Sequence, residues 1–146
     1  MTETFEDCGI HFRYPDDWEL DVTEEGAVTT IALHSTTGPA FALVTLDENR
    51  HDPSEIVNQA LEVLQEEYPG LDSTPAREMI GGYKAMGHDV EFFSLDMMST
   101  CAIRCFRTHR RTVLLFGQWS DLEGEETGEV LADLRRSFEE TDAEEV

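Results

Sequence analysis

Lysine is almost missing from this chain. Lys84 is its single lysine and nine arginines make up the other basic residues, against thirty-two Asp and Glu, for a formal net charge of −22. That deficit excludes a nucleic-acid binder working through a general basic face, because neutralising phosphates takes clustered cations. It also sets the chain against anionic lipid surfaces. Long apolar runs are lacking too, and none approaches the roughly 18 residues of a membrane span. The opening Met1-Thr2-Glu3-Thr4-Phe5-Glu6-Asp7-Cys8 has neither the cationic start nor the apolar stretch of a secretory signal. Cysteine is scarce and odd in number, so Cys8, Cys101 and Cys105 cannot close into a full disulfide framework. Cys101 and Cys105, four apart in a predicted strand, share one face about 13 Å apart, too far for a bridge. A reducing, cytoplasmic setting follows as the expectation, with neither nucleic acid nor membrane as partner.

Catalytic signatures are absent as well. There is no G-x-S-x-G, no phosphate loop and no G-x-G-x-x-G. Neither H-x-H, C-x-x-C, H-E-x-x-H nor an alternating acidic calcium loop occurs. The nearest approaches to a ligand cluster are His51-Asp52 and His88-Asp89-Glu91. On a strand, however, His88 points away from the face that Asp89 and Glu91 share. Carboxylates are plentiful, but abundance alone does not make a tuned acid–base pair. The expectation is a chain with no metal, no cofactor and no catalytic residues.

What is present suffices for one domain. A chain of 146 residues buries roughly two-thirds of its unfolded surface and needs no metal or disulfide to hold a core. Ile10, Phe12 and Tyr14 alternate with polar residues, as a half-buried strand does. Val28–His34 and Ala40–Leu46 are apolar on both alternating sets, which predicts central strands covered on both faces. Asp52-Pro53-Ser54-Glu55 announces a helix carrying Ile56, Val57, Ala60, Leu61, Leu64 and Tyr68 at helical spacing. Thr74–Ile80 and Tyr83–Phe93 flank a Gly81-Gly82 turn, and Ser99–Thr108 and Thr112–Trp119 flank His109-Arg110-Arg111. A last helix buries Val130, Leu131, Leu134 and Phe138, with acids at its start and Arg135-Arg136 at its end. This order predicts an α+β domain, a mostly antiparallel central sheet flanked by helices, over residues 1–140, with a frayed acidic tail at 141–146.

Phe12-Arg13-Tyr14-Pro15-Asp16-Asp17-Trp18 resembles the F-x-Y-P-x-x-W opening of the PsbP-like superfamily. The order of elements is similar over nearly the whole chain, including the glycine hairpin and the final helix near Ser137-Phe138. The resemblance implies the PsbP-like fold. Members serve as a photosystem II extrinsic subunit, as a small Ran-binding import factor and as bacterial proteins of unassigned function, some relatives being chaperones. Those roles share no catalytic machinery, so the fold carries no single function across.

Two groups of residues invite contact. Arg104, Arg107, Arg110 and Arg111 place four of the ten cations within eight residues, where an acidic partner could dock through paired N–H donors. Alternation sends Arg104 and Arg107 to opposite faces, while Arg110 and Arg111 read as exposed at the hairpin tip. Met79, Met86, Met97 and Met98 cluster around the glycine hairpin and the next turn, and read as gap-filling core residues. The function expected is non-catalytic binding to another protein, with those arginines as contacts. The alternative is a chaperone-like homodimer using a hydrophobic groove on the sheet, ahead of a small-ligand binder or an enzyme.

Acidic excess with so little lysine is also the pattern of salt-adapted proteomes. Net charges spread over roughly 7,500 Å² lie about 18 Å apart, near two Debye lengths at physiological salt. The melting temperature should therefore rise from dilute buffer to molar salt. A melting curve indifferent to salt over that range would remove the salt-adapted reading.

Overall fold

Tight turns between neighbouring strands build most of this protein, a computed structural model of which describes residues 2–141. β1 (Thr2–Asp7) turns at Cys8 and Gly9, both at positive φ (57° and 78°), into β2 (Ile10–Pro15). The Trp18 N–H then donates to the Pro15 carbonyl at 3.1 Å and starts β3 (Glu19–Glu25). β4 (Val28–His34) and β5 (Phe41–Asp47) complete a first antiparallel meander. α1 (Pro53–Glu67) opens where sequence places it, with Asp52 accepting from the Ser54 N–H at 2.9 Å and Pro53 in the first turn.

A second meander follows in β6 (Asp72–Ile80), β7 (Tyr83–Ser94), β8 (Met97–Arg107) and β9 (Thr112–Ser120). Its last strand pairs with β5, from Phe41 opposite Gln118 to Asp47 opposite Thr112, and this seam joins the two meanders. The result is a seven-stranded antiparallel sheet in the order β3-β4-β5-β9-β8-β7-β6. α2 (Glu125–Ser137) and a short β10 (Glu139–Glu140) close the chain, and β10 joins β1 and β2 in a separate three-stranded sheet.

The helices lie on opposite faces, because the residues they touch alternate along the strands. α2 and the small sheet pack Leu131, Leu134, Phe138 and Phe12 against Ile31, Val44 and Phe106. Phe138 meets Phe106 edge-on at 5.8 Å, while Tyr83 stacks on the Phe106 ring at 5.5 Å. On the other face α1 packs Val57 and Leu64 against Val90, Cys101, Ile103 and Cys105. The aromatic motif is structural: Phe12 is fully buried, with Tyr14 and Trp18 packed against the same core.

One expectation needs correcting. β4 and β5 are not covered on both faces. They bury Ile31, Leu33, Ala42 and Val44 toward α2, but Val28, Ala32 and Leu43 on the α1 side stay half-exposed, since α1 lies over β7, β8 and β9. β8 is instead the strand buried on both sides. β1 carries almost no apolar signal, and Phe5, stacked on Phe12 at 5.1 Å, is its anchor. The tail expected at 141–146 lies, apart from Thr141, outside the described residues, and no described helix is long and apolar enough to cross a membrane.

The β7–β8 turn places two non-glycine residues, Leu95 and Asp96, in the left-handed region at φ 53° and 64°. Leu95 is also 88 % exposed, so no burial offsets that conformation. Replacing the pair by the favoured turn sequence, Leu95→Asn with Asp96→Gly, should stabilise the protein by about 1 kcal/mol, or roughly 3 °C in melting temperature. A lower melting temperature in that double variant would show that the Leu95 side chain contributes more than its turn costs.

Candidate binding surface

Strand register sets side chains of β6, β7 and β8 in rows across the α1 side of the sheet. Met86 stands opposite both Cys105 and Arg77, and Met79 stands opposite Lys84. Arg107, two residues beyond Cys105, points to the same side. α1 begins at Pro53 and runs away from these rows, leaving an open groove of about 580 Å³. Pro53, Arg77, Met79, Lys84, Met86 and Arg107 line it, with Cys105 at its floor.

The groove holds the unusual charges of the molecule. Arg77, Lys84 and Arg107 are exposed, and among the described residues none of them forms an ion pair. Arg107 Nη1 donates to the Arg50 carbonyl at 3.3 Å, and Arg50, itself exposed, donates from Nε to the Thr108 carbonyl at 2.9 Å. The segment carrying Arg50 is itself pinned. Asp47 accepts from the Asn49 N–H at 2.9 Å and from the amide and ring Nδ1 of His51, while Thr112 Oγ1 donates to the His51 carbonyl at 2.6 Å. Burial alone would raise the Asp47 pKa, but these hydrogen bonds outweigh it and hold the carboxyl below its usual range. Asp52, at the head of α1, is held low first by its bonds from Ser54 and then by the Arg107 charge.

The methionines do not all fill gaps. Met79 is 60 % exposed and Met86 38 %, so the groove has a polarizable, adaptable floor, whereas Met97 and Met98 are half-buried. Cys105 beneath them is not a reactive group. Burial pushes its thiol up to about 12, the charges of Asp47 and Asp52 acting in the same direction. Cys101, on the same face, is likewise raised to about 12 by burial.

The hairpin arginines do not form one patch. Arg104 is buried on the α2 side, where Nε donates to Glu78 Oε1 at 2.8 Å and Nη2 to Asp89 Oδ1 at 2.9 Å. Arg135 from α2 reaches the same Glu78 at 3.2 Å, so this network ties helix to sheet. Gly87 makes the network possible, since the Ile103 carbonyl, which also accepts from Arg104, lies 1.7 Å from where a Cβ would stand. Arg104 is the buried member and Asp89 is about half exposed, so truncating Glu78, which leaves the Arg104 head short of a partner, is the costly change at about 2 kcal/mol. Arg111, read from sequence as exposed, is only 3 % exposed and binds Glu140 Oε2 at 2.9 Å, locking β10 onto the hairpin. Arg110 is half-buried, its N–H donating to Thr108 Oγ1 at 3.1 Å. Of the four, Arg107 alone enters the groove.

Arg77 and Lys84 escaped the sequence reading. Their signal was the pairing of cation and methionine two apart on each side of the glycine turn, Arg77 with Met79 and Lys84 with Met86. That spacing puts all four on one face of a hairpin. Among the described residues no group of three or more His, Cys, Asp or Glu is gathered to hold a metal, and Asp89 lies on the face opposite His88.

No protein-family profile matches the chain, and no curated protein matches it in sequence. Solved structures do match in fold. LpqN of Mycobacterium tuberculosis, described as involved in cell envelope biogenesis, superposes with a TM-score of 0.58 at 16 % identity, over 95 % of this chain and 90 % of its own. The cyanobacterial PsbP (CyanoP) of Synechocystis sp. PCC 6803 gives a TM-score of 0.62 at 11 % identity, over 94 % and 91 %. A Bacteroides thetaiotaomicron protein matches at 0.57 and 10 % identity, over 90 % of this chain and 45 % of that one. The fold is therefore PsbP-like, as the aromatic motif implied.

The thiols give this description a direct test. At pH 8 a thiol of pKa about 12 is thiolate to only about one part in ten thousand. Iodoacetamide should therefore add at most once to the native protein, at the half-buried Cys8, and three times after unfolding. Native alkylation at Cys105 would show that the groove floor opens.

Proposed function

We propose that this PsbP-like domain acts without catalysis, as an accessory that binds another protein, and that the groove beneath the head of α1 receives an acidic segment of that partner. One observation carries the reading. In a chain of net charge −22, three exposed cations without ion pairs among the described residues surround exposed methionines in a single groove. Arginine suits carboxylates through its fork of N–H donors, and methionine adapts to apolar side chains of varied shape. The acidity of the remaining surface would repel such a segment everywhere else and so supports discrimination as well as attraction. Similarity of fold alone lends no function.

A homodimer remains the second reading. It is favoured by the half-exposed Val28, Ala32 and Leu43 on the uncovered part of β4 and β5.

The groove reading is tested with Arg77→Glu plus Arg107→Glu. Both sites are exposed and Arg107 gives up only one hydrogen bond and its attraction to Asp52, so stability should fall by no more than about 1 kcal/mol. Tagged wild-type protein should capture a near-stoichiometric partner from native lysate in low salt and release it in high salt, while the variant captures none. A partner held equally by the variant would remove the groove from the account. Self-association that survives high salt in the ultracentrifuge would favour the homodimer.

A further inference from the structure

β6 is an outer strand of the seven-stranded sheet, and among the described residues its only ladder is with β7. The phase of its hydrogen bonding follows from the turn. Gly81 and Gly82 both have positive φ (58° and 87°), the two-residue hairpin form in which the flanking residues, Ile80 and Tyr83, are hydrogen-bonded to each other. Hydrogen-bonded pairs then recur at every second residue, so Ile80, Glu78, Ala76 and Thr74 turn their backbone groups toward β7. Met79, Arg77, Pro75 and Ser73 turn theirs to the open edge. Pro75 fits this phase, since it has no N–H and sits where β7 requires none.

The residues with outward backbone groups are also those whose side chains line the groove, Arg77 and Met79. We infer that the groove takes its acidic segment as an extended strand added to the edge of β6, hydrogen-bonded to the N–H and C=O groups of Met79 and Arg77. This rests on the binding reading above and specifies its geometry. A strand added there places alternate side chains on the groove side, where carboxylates meet Arg77 and Lys84 and an apolar side chain meets Met79. Its other side chains pass Glu78, whose carboxylate is already engaged by Arg104 and Arg135. Pro75 offers no N–H to continue the ladder, which limits the added strand to about five residues. Sheet edges are commonly guarded by charge and proline against indiscriminate pairing. Here the guarding charge is positive in an acidic molecule, so this edge repels basic strands and attracts acidic ones.

The probe is a fluorescent seven-residue peptide, Glu-Thr-Leu-Thr-Glu-Thr-Glu, with two derivatives N-methylated on its odd or its even backbone amides. Strand addition uses amides of one parity only. One derivative should therefore bind at least tenfold more weakly than the parent, and the other near the parent affinity. Met79→Pro removes an outward N–H without taking a bond from β7 and should also weaken the parent peptide at least tenfold. If that variant does not fold, the methylated pair decides alone. Parent, odd and even peptides binding alike would overturn strand addition, and so would failure of the parent peptide to bind. Binding that is lost in the Arg77→Glu, Arg107→Glu variant yet indifferent to methylation would overturn the strand while leaving the acidic-groove reading intact.

Discussion

Helix width limits what this sheet can cover. An α-helix with its side chains is about 10–12 Å across, whereas neighbouring strands lie about 4.8 Å apart, so one helix roofs two or three strands of seven. On one side α2 is helped by the sheet of β1, β2 and β10, and together they seal a core that reaches from Ile31 on β4 to Ile80 on β6. On the other side α1 works alone over β7, β8 and β9. The flanks of that side therefore stay open: a half-exposed apolar floor on β4 and β5, and the cationic groove where α1 begins. The candidate site is thus a consequence of incomplete coverage and not of an added loop or insertion.

The scarcity of cations makes their placement informative. Arg104, Arg111 and Arg135 are committed to buried or part-buried carboxylates that join separate elements. Arg13 binds Asp133 and Arg136 reaches Glu129, both on α2. Arginine suits the committed positions because its planar, weakly hydrated head tolerates burial in a fixed hydrogen-bonding geometry. The sole lysine, Lys84, stands exposed in the groove, where a strongly hydrated and mobile ammonium is at least cost.

Much of the fold was legible because turn chemistry and periodicity coincide. Asp52-Pro53 marks a real helix start, Gly81-Gly82 a real hairpin, and Leu131, Leu134 and Phe138 a real buried stripe. Reading failed where local pattern underdetermines coverage. Val28, Ala32 and Leu43 look like core residues because small or aliphatic side chains also tolerate half exposure, and nothing nearby in sequence tells which strands α1 will lie on. The arginines failed for a related reason. Closeness along the chain says little about closeness in space when alternate residues face opposite ways, so the Arg104–Arg111 run is split between two faces and two buried networks. Arg77, Lys84 and Arg107 meet only through strand pairing, which is a property of register.

The seam between β5 and β9 bears on the order in which the chain can fold. Within each meander every ladder joins strands adjacent in sequence, so β3-β4-β5 and β6-β7-β8-β9 can each zip from a local turn. Joining Asp47 to Thr112 instead closes a loop of roughly sixty residues, and non-local pairings of this kind are the slow ones. If β6-β7-β8-β9 forms first, that closure cost falls sharply, because the intervening chain is already compact when the seam is made. Until it is made, β5 and β9 each present a raw hydrogen-bonding edge. The middle of the finished sheet, its most protected line, is thus the most vulnerable line of the unfinished one.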